Sequence, residues 1–217
     1  MKNIALFFLL ILASCSFNSS EGKGISFKKK EFTTEVSSAF NAKKYNRIAV
    51  FPLVGEALDL EGQELRDHIT DKLVGSLDVG TSFELANIKD SQNFETAVTK
   101  ADRLAKPLFD KAALFGKELD ASAVICGIIN TFSERDGNDV ASLVPAHVQF
   151  RLWFLEPSTG KILWSSTYDK KKEPLSDNLL SIASAKKEDF KFQTRETLLK
   201  QGFEAVSKSL EQLRTGK

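Results

Sequence analysis

The spacing of apolar and polar positions divides the chain into three stretches. Residues 4–13 (IALFFLLILA) form an unbroken apolar run. Residues 16–45 are rich in Ser, Lys and Gly and show no apolar period, so a largely flexible tether is expected there. Regular pattern begins at Arg47-Ile48-Ala49-Val50-Phe51-Pro52-Leu53, a short apolar run that predicts a buried strand, with Pro52 at its exit. Leu65, Ile69, Leu73 and Leu77 recur every fourth residue and predict an amphipathic helix over 61–77. A turn at 78–81 leads to a second strand at 82–86. Leu104, Leu108, Ala112 and Phe115 share one face of a helix expected over 96–119, which Pro107 should bend or divide. Residues 121–132 (ASAVICGIINTF) predict a buried central strand, and Asp136-Gly137 centres a hairpin turn at 133–139. Beyond it Val144, Ala146, Val148, Phe150, Leu152 and Phe154 alternate with Pro145, His147, Gln149, Arg151 and Trp153, which puts the two sets on opposite faces. A turn at 156–161 precedes a strand at 162–168, and residues 170–189 are polar and weakly patterned. Leu199, Phe203, Val206, Leu210 and Leu213 close the chain as a long amphipathic helix. The order is β-α-β-α-β-β-β-α. Two β-α units imply parallel pairing and the late meander adds antiparallel strands. The expectation is a single α/β domain over 46–217, a mixed sheet flanked by helices.

The apolar run at 4–13 follows a short positive start, Met1-Lys2-Asn3. As a helix it would span roughly 15 Å, about half of a hydrocarbon core. That is too short for a membrane span and suits a signal peptide over 1–14. The run ends in Leu12-Ala13-Ser14-Cys15, which resembles the bacterial lipobox. The resemblance implies a diacylglyceryl group on the Cys15 sulfur, cleavage before it, and acylation of the new amino terminus by a chain such as palmitate. Two or three acyl chains hold a protein firmly to a bilayer, where one gives marginal affinity. Export and anchorage in a bacterial membrane follow as expectations. Ser16, rather than Asp, after the anchor is compatible with the outer membrane. Lys28, Lys29 and Lys30 read as a solvated charge run in the tether.

Charge and composition narrow the function. Of 217 residues, Lys and Arg number 30 against 29 Asp and Glu, and loss of residues 1–14 removes only the cation Lys2. A near-neutral exported protein lacks the basic footprint that draws nucleic acid. The chain has two cysteines, Cys15 and Cys126, so acylation of the first leaves the second without an intramolecular partner.

The local wording of the domain resembles a family of periplasmic lipoproteins, which includes the curli secretion lipoprotein and the lipoprotein activators of penicillin-binding proteins. The matching pieces are Ile48-Ala49-Val50-Phe51-Pro52-Leu53, the helix ending at Leu77, Phe83-Glu84-Leu85, the run 119–127, and the turn Leu155-Glu156-Pro157-Ser158-Thr159-Gly160-Lys161-Ile162-Leu163-Trp164. The resemblance implies a role by protein contact in the envelope. Two departures qualify it. The short 133–139 hairpin and the weak alternation over 169–190 do not supply the lipid-facing strands of a secretion pore. The tether of about thirty residues reaches at most roughly 100 Å, which brings a cytoplasmic-membrane synthase within range only at full stretch.

Catalytic chemistry has little support in the sequence. His68 falls on the first helix and His147 on a strand, and neither has metal-ligand spacing with Cys, Asp or Glu. Cys126 lies among Val124, Ile125, Ile128 and Ile129, where a thiol behaves as a small hydrophobe. Ser158-Thr159-Gly160-Lys161 suggests a phosphate loop, yet Leu155 stands where its first glycine is needed and Ile162 where its magnesium-binding hydroxyl is needed. No catalytic residue, metal or cofactor is assigned. Trp153 and Trp164 are the candidate contact surface, as a platform for a sugar or a protein partner should they share an open sheet face. The preferred expectation is an accessory or assembly subunit that binds an envelope protein, with oligomer formation allowed. The alternatives are a small-ligand or peptidoglycan-binding lipoprotein and, with least support, an envelope hydrolase.

Overall fold

A computed structural model describes residues 30–86, 105–137, 142–171 and 193–216. Its elements run β1 (Phe32–Val36), β2 (Arg47–Val50), α1 (Glu56–Glu61), α2 (Gln63–Gly80), β3 (Glu84–Leu85), α3 (Ala105–Glu118), β4 (Ala123–Ser133), β5 (Asp136–Gly137), β6 (Ser142–Val144), β7 (His147–Glu156), β8 (Lys161–Lys171) and α4 (Arg195–Thr215). Six strands form one sheet in the order β1-β8-β7-β4-β2-β3, and β5 pairs with β6 as a small hairpin arm. β2 is parallel to β3 and to β4, whereas β4, β7, β8 and β1 are successively antiparallel. The mixed α/β sheet expected from the β-α units and the meander is the one observed.

Period-two alternation divides the sheet into two cores. Ile48, Val50, Ile125, Ile129, Phe150, Leu152 and Phe154 face α2 and α4, where Ile69, Leu73, Leu77, Phe203, Val206 and Leu210 meet them. Ala49, Phe51, Val124, Cys126, Trp153 and Leu155 face the other way, against Leu108, Ala112, Phe115 and Leu119 of α3. A register shift between Ile129 and Thr131 turns the last residues of β4, so that Phe132 rejoins the first core. Gly55, at φ 149°, opens α1 beside the backbone of Ile129, an approach that leaves no room for a side chain. Thr194 caps α4 by accepting a hydrogen bond from the Thr197 N–H at 3.2 Å.

Several boundaries differ from the sequence expectation. The tether expected to reach residue 45 already holds β1, whose five residues pair with β8 from Phe32 opposite Tyr168 to Val36 opposite Trp164. Ala42 and Tyr45, also placed in the tether, are buried. Backbone pairing and the aromatic contacts of Tyr45 order this segment, and neither leaves an apolar period in the sequence. α1 is an additional helical turn, separated from α2 by Gly62 at φ 93°. Described α3 runs Ala105–Glu118 and contains Pro107, and the earlier part of the helix expected over 96–119 lies outside the described residues. The hairpin turn expected at 133–139 is replaced by β4 running to Ser133 and a further β5–β6 pairing. The meander strand expected over 162–168 runs from Lys161 to Lys171. Residues 87–104 and 172–192 lie outside the described residues, as do Leu12, Ala13, Ser14 and Cys15. No described helix is long and apolar enough to cross a membrane.

Candidate contact surface

The two tryptophans do not form a platform. Trp153 points toward α3, is 7% exposed and meets Phe109 edge-on at 5.1 Å between centroids. Trp164 points toward α4 and is 1% exposed. A one-residue shift between Phe154 and Leu155 in the β7–β8 register puts them on opposite faces of the sheet. Counting positions across the turn does not reveal that shift. What the strands do bring together lies beside Trp153, on the α3 face but toward β8 and β1.

Three rows of polar side chains meet there. β7 supplies His147, Gln149 and Arg151; β8 supplies Ser165, Thr167 and Asp169; β1 supplies Thr33 and Glu35. Gln149 lies opposite Asp169, and its amide donates to the Asp169 carboxylate at 3.2 Å. His147 Nε2 is 3.0 Å from the other Asp169 oxygen. One carboxylate therefore joins two neighbouring positions of β7. Arg151 reaches across β8 to Glu35 on β1 at 3.5 Å, and its guanidinium carbon sits 5.3 Å from the Trp153 ring centroid. Ser165 beneath them donates to Glu35 at 3.2 Å. The acids and bases alternate across the strands, so the surface is polar without strong net charge.

The Ser133 hydroxyl donates to the His147 backbone carbonyl at 3.5 Å, not to its imidazole. His68 stands apart on α2, 3.7 Å from Glu196. Cys126 is fully buried, and burial pushes its thiol pKa far up, which keeps it protonated and inert. The 158–161 segment is a tight turn: Gly160 at φ 68° donates to the Glu156 carbonyl at 2.8 Å and Thr159 to the Glu156 carboxylate at 2.7 Å. Among the described residues no group of three His, Cys, Asp or Glu side chains could hold a metal ion.

On the opposite side of the sheet, α2 and α4 pack through small residues. Ser76 and Ser207 share a hydrogen bond at 3.0 Å, and Gly80 lets the Ser207 side chain approach. The pair leaves an open groove of about 1140 Å³, bordered by Lys72, Gly75, Val79, Lys200, Glu204 and Lys208. Val79, at 89% exposure, stands fully out of the fold there.

Comparison with solved structures identifies the architecture. A dodecamer of PelC from Paraburkholderia phytofirmans, carrying one methionine substitution, matches with TM-score 0.52 and 13% identity over 83% of this chain and 98% of the other. The fold is similar to that of PelC. A hypothetical protein of Chlamydia trachomatis matches with TM-score 0.48 and 14% identity, over 80% of this chain and 99% of the other. A lipoprotein of Neisseria meningitidis matches with TM-score 0.44 and 16% identity, over 64% and 99%. No protein-family model and no curated protein matches the sequence. At such identities the likeness to PelC speaks for the fold and not for individual residues. The site residues that sequence reasoning missed are Glu35, Asp169 and the β1 strand that carries the first. The composition of Phe32-Thr33-Thr34-Glu35-Val36, four strand-formers in five, was the available signal.

Proposed function

We propose that the chain is a lipid-anchored lipoprotein of the bacterial envelope that works by protein contact, as an accessory or assembly subunit of an envelope complex. The observation that carries this reading is the shared architecture with PelC, a protein whose solved form is a dodecamer. The leader, with Leu12-Ala13-Ser14-Cys15 at its end, supports export and acylation. The polar β7–β8–β1 face supports contact by hydrogen bonds and ion pairs. The described residues begin at Lys30, fifteen positions after Cys15, a separation that a fully extended chain spans in roughly 50 Å. That keeps the domain close to the membrane that anchors it, and the outer membrane is the proposed one. Tethering raises the local concentration of the domain near a partner in the same layer.

The anchor is tested by Cys15→Ala. Loss of fatty-acid labelling and of membrane fractionation is expected, whereas unchanged labelling and fractionation would refute it. The contact role is tested by crosslinking in cells and mass spectrometry. A recurrent envelope protein is the expected capture, and Arg151→Glu with Glu35→Arg should restore what Arg151→Glu alone weakens. The α2–α4 groove favours a second reading, in which the domain binds a small ligand or a cell-wall fragment. Retention of muropeptides by the wild type, lost on Gly75→Trp, would give that reading precedence.

A further inference from the structure

The two edges of the sheet are built differently. β3, at one edge, has two residues and offers almost no backbone for another chain to pair with. β1, at the other, has five residues in unbroken register with β8. Of the devices that protect an edge, Phe32–Val36 has no lysine, no proline and no bulge. Its one carboxylate, Glu35, is paired along the sheet face, 3.5 Å from Arg151 and 3.2 Å from the Ser165 hydroxyl. Glu31, just before the strand, is held by Lys170 at 3.1 Å.

The hydrogen-bond pattern fixes which backbone groups are on offer. Asp169 N–H donates to the Glu31 carbonyl, and Ser37 N–H to the Leu163 carbonyl, both at 2.9 Å. In an antiparallel ladder such pairs alternate, so the odd residues of β1 bond to β8. The N–H and C=O groups of Phe32, Thr34 and Val36 therefore point outward. The matching side chains of these three residues share the face of Tyr168, Ser166 and Trp164. Val36 is 46% exposed, one of the few large apolar side chains in the open among the described residues.

We infer that β1 is a self-pairing edge, joining a second copy of this chain in an antiparallel, two-fold arrangement centred on Thr34. The occupant is argued from the strand's own complementarity. With the dyad at Thr34, Phe32 of one copy lies opposite Val36 of the other, and each of the three outward residues exchanges both backbone bonds. Thr33 lies opposite Glu35, so no like charges face each other. The outward-pointing residues are the even ones, and this register pairs even with even, as a hydrogen-bonded antiparallel ladder requires. Lys30 lies four residues from the dyad in each copy, and the fifteen positions back to Cys15 are enough for both anchors to reach one bilayer. The strength of the pairing rests on the anchor proposed above, because confinement to one membrane raises the effective concentration of a small interface. The pairing geometry does not.

The test uses the full-length protein in its membranes. Thr34→Cys places a thiol on the dyad, while Val79→Cys, on exposed α2, is the control. Acylation blocks Cys15, and Cys126 is buried, so the introduced thiol is the reactive one. Mild oxidation should give a disulfide-linked dimer of Thr34→Cys at least about fivefold above the control. Adding Phe32→Pro removes an outward donor and leaves every N–H that bonds to β8 in place, although it also gives up the Phe32 core contact, and should cut the dimer at least about fivefold. Val36→Lys should do the same with the backbone intact. Protection of Cys126 from maleimide reports that each variant is folded. Equal crosslinking of Thr34→Cys and the control overturns the inference, as does a dimer that survives both added substitutions in folded protein. Capture of a different protein by the introduced thiol overturns it as well. Lipid labelling of the same samples separates failure of pairing from failure of the anchor.

Discussion

Burial gives Cys126 a measurable consequence at the level of one residue. Its thiol is held far above its ordinary pKa by desolvation alone. In the unfolded chain it ionises near 8.5. Below that pH both states hold the proton and stability does not depend on it. Above it the unfolded state loses a proton that the native state keeps, so stability falls as pH rises, by up to about 1.4 kcal/mol per unit. Tyr168, raised by burial and then by the charge of Glu31, joins only above its ordinary value near 10. Urea midpoints of the wild type should therefore decline between pH 8.5 and 10 more steeply than those of Cys126→Ala. Parallel slopes would show that the thiol titrates alike in both states. The buried setting of Cys126 was legible in the sequence, because four aliphatic neighbours surround it. The facing of the tryptophans was not, because it depends on a register shift that no composition marks.

Helices α2 and α4 make opposite demands on their glycines. A methyl group on Gly202 would come within 2.6 Å of the Phe150 ring and 2.8 Å of Tyr168, so this glycine brings α4 down onto the sheet. Gly202→Ala should destabilise by about 1–3 kcal/mol despite the better helix propensity of alanine. Gly75, in the middle of α2, has nothing within 4 Å of the same position. Gly75→Ala should stabilise by about 0.5–1 kcal/mol. Thr194→Ala removes the cap of α4 and should cost about 1 kcal/mol. Chemical denaturation of the three variants checks these signs, and a stabilised Gly202→Ala would mean that α4 sits farther from the sheet than described. Helices and long strands were readable because each carries a full period of apolar residues: Leu65, Ile69, Leu73 and Leu77 for α2, and the alternation from Val144 to Phe154 for β7. The short elements were not. β1 has only Phe32 half-buried, and α1 is a single turn after Gly55, so neither is long enough to display a period.

At the scale of the molecule, the decisive question is where the folded body begins. The sequence pattern starts it at residue 46, whereas the structure already has β1 at Phe32–Val36. The intervening residues contribute more than a strand. Tyr45 is buried, meets Phe154 edge-on at 5.4 Å, and donates its hydroxyl to Glu156 at 3.1 Å. Phe40 packs on both rings, at 6.0 Å from Tyr45 and 5.2 Å from Phe154. Phe32 adds a third aromatic contact to the same core. Fully burying an aromatic side chain is worth roughly 1.5–3 kcal/mol, so losing the buried Tyr45 and the half-buried Phe32 and Phe40 removes a large share of the roughly 5–15 kcal/mol by which a domain is stable at all. A chain begun at Asn46 also leaves the eleven residues of β8 as a bare edge, an invitation to aggregate. A chain begun at Lys30 keeps every one of these contacts. The expected outcome is that the Lys30 chain melts within a few degrees of the exported domain. The Asn46 chain should melt at least ten degrees lower, or fail to fold, and should scatter light increasingly with concentration. Equal melting temperatures would return residues 30–45 to the tether, and with them the edge on which self-pairing depends.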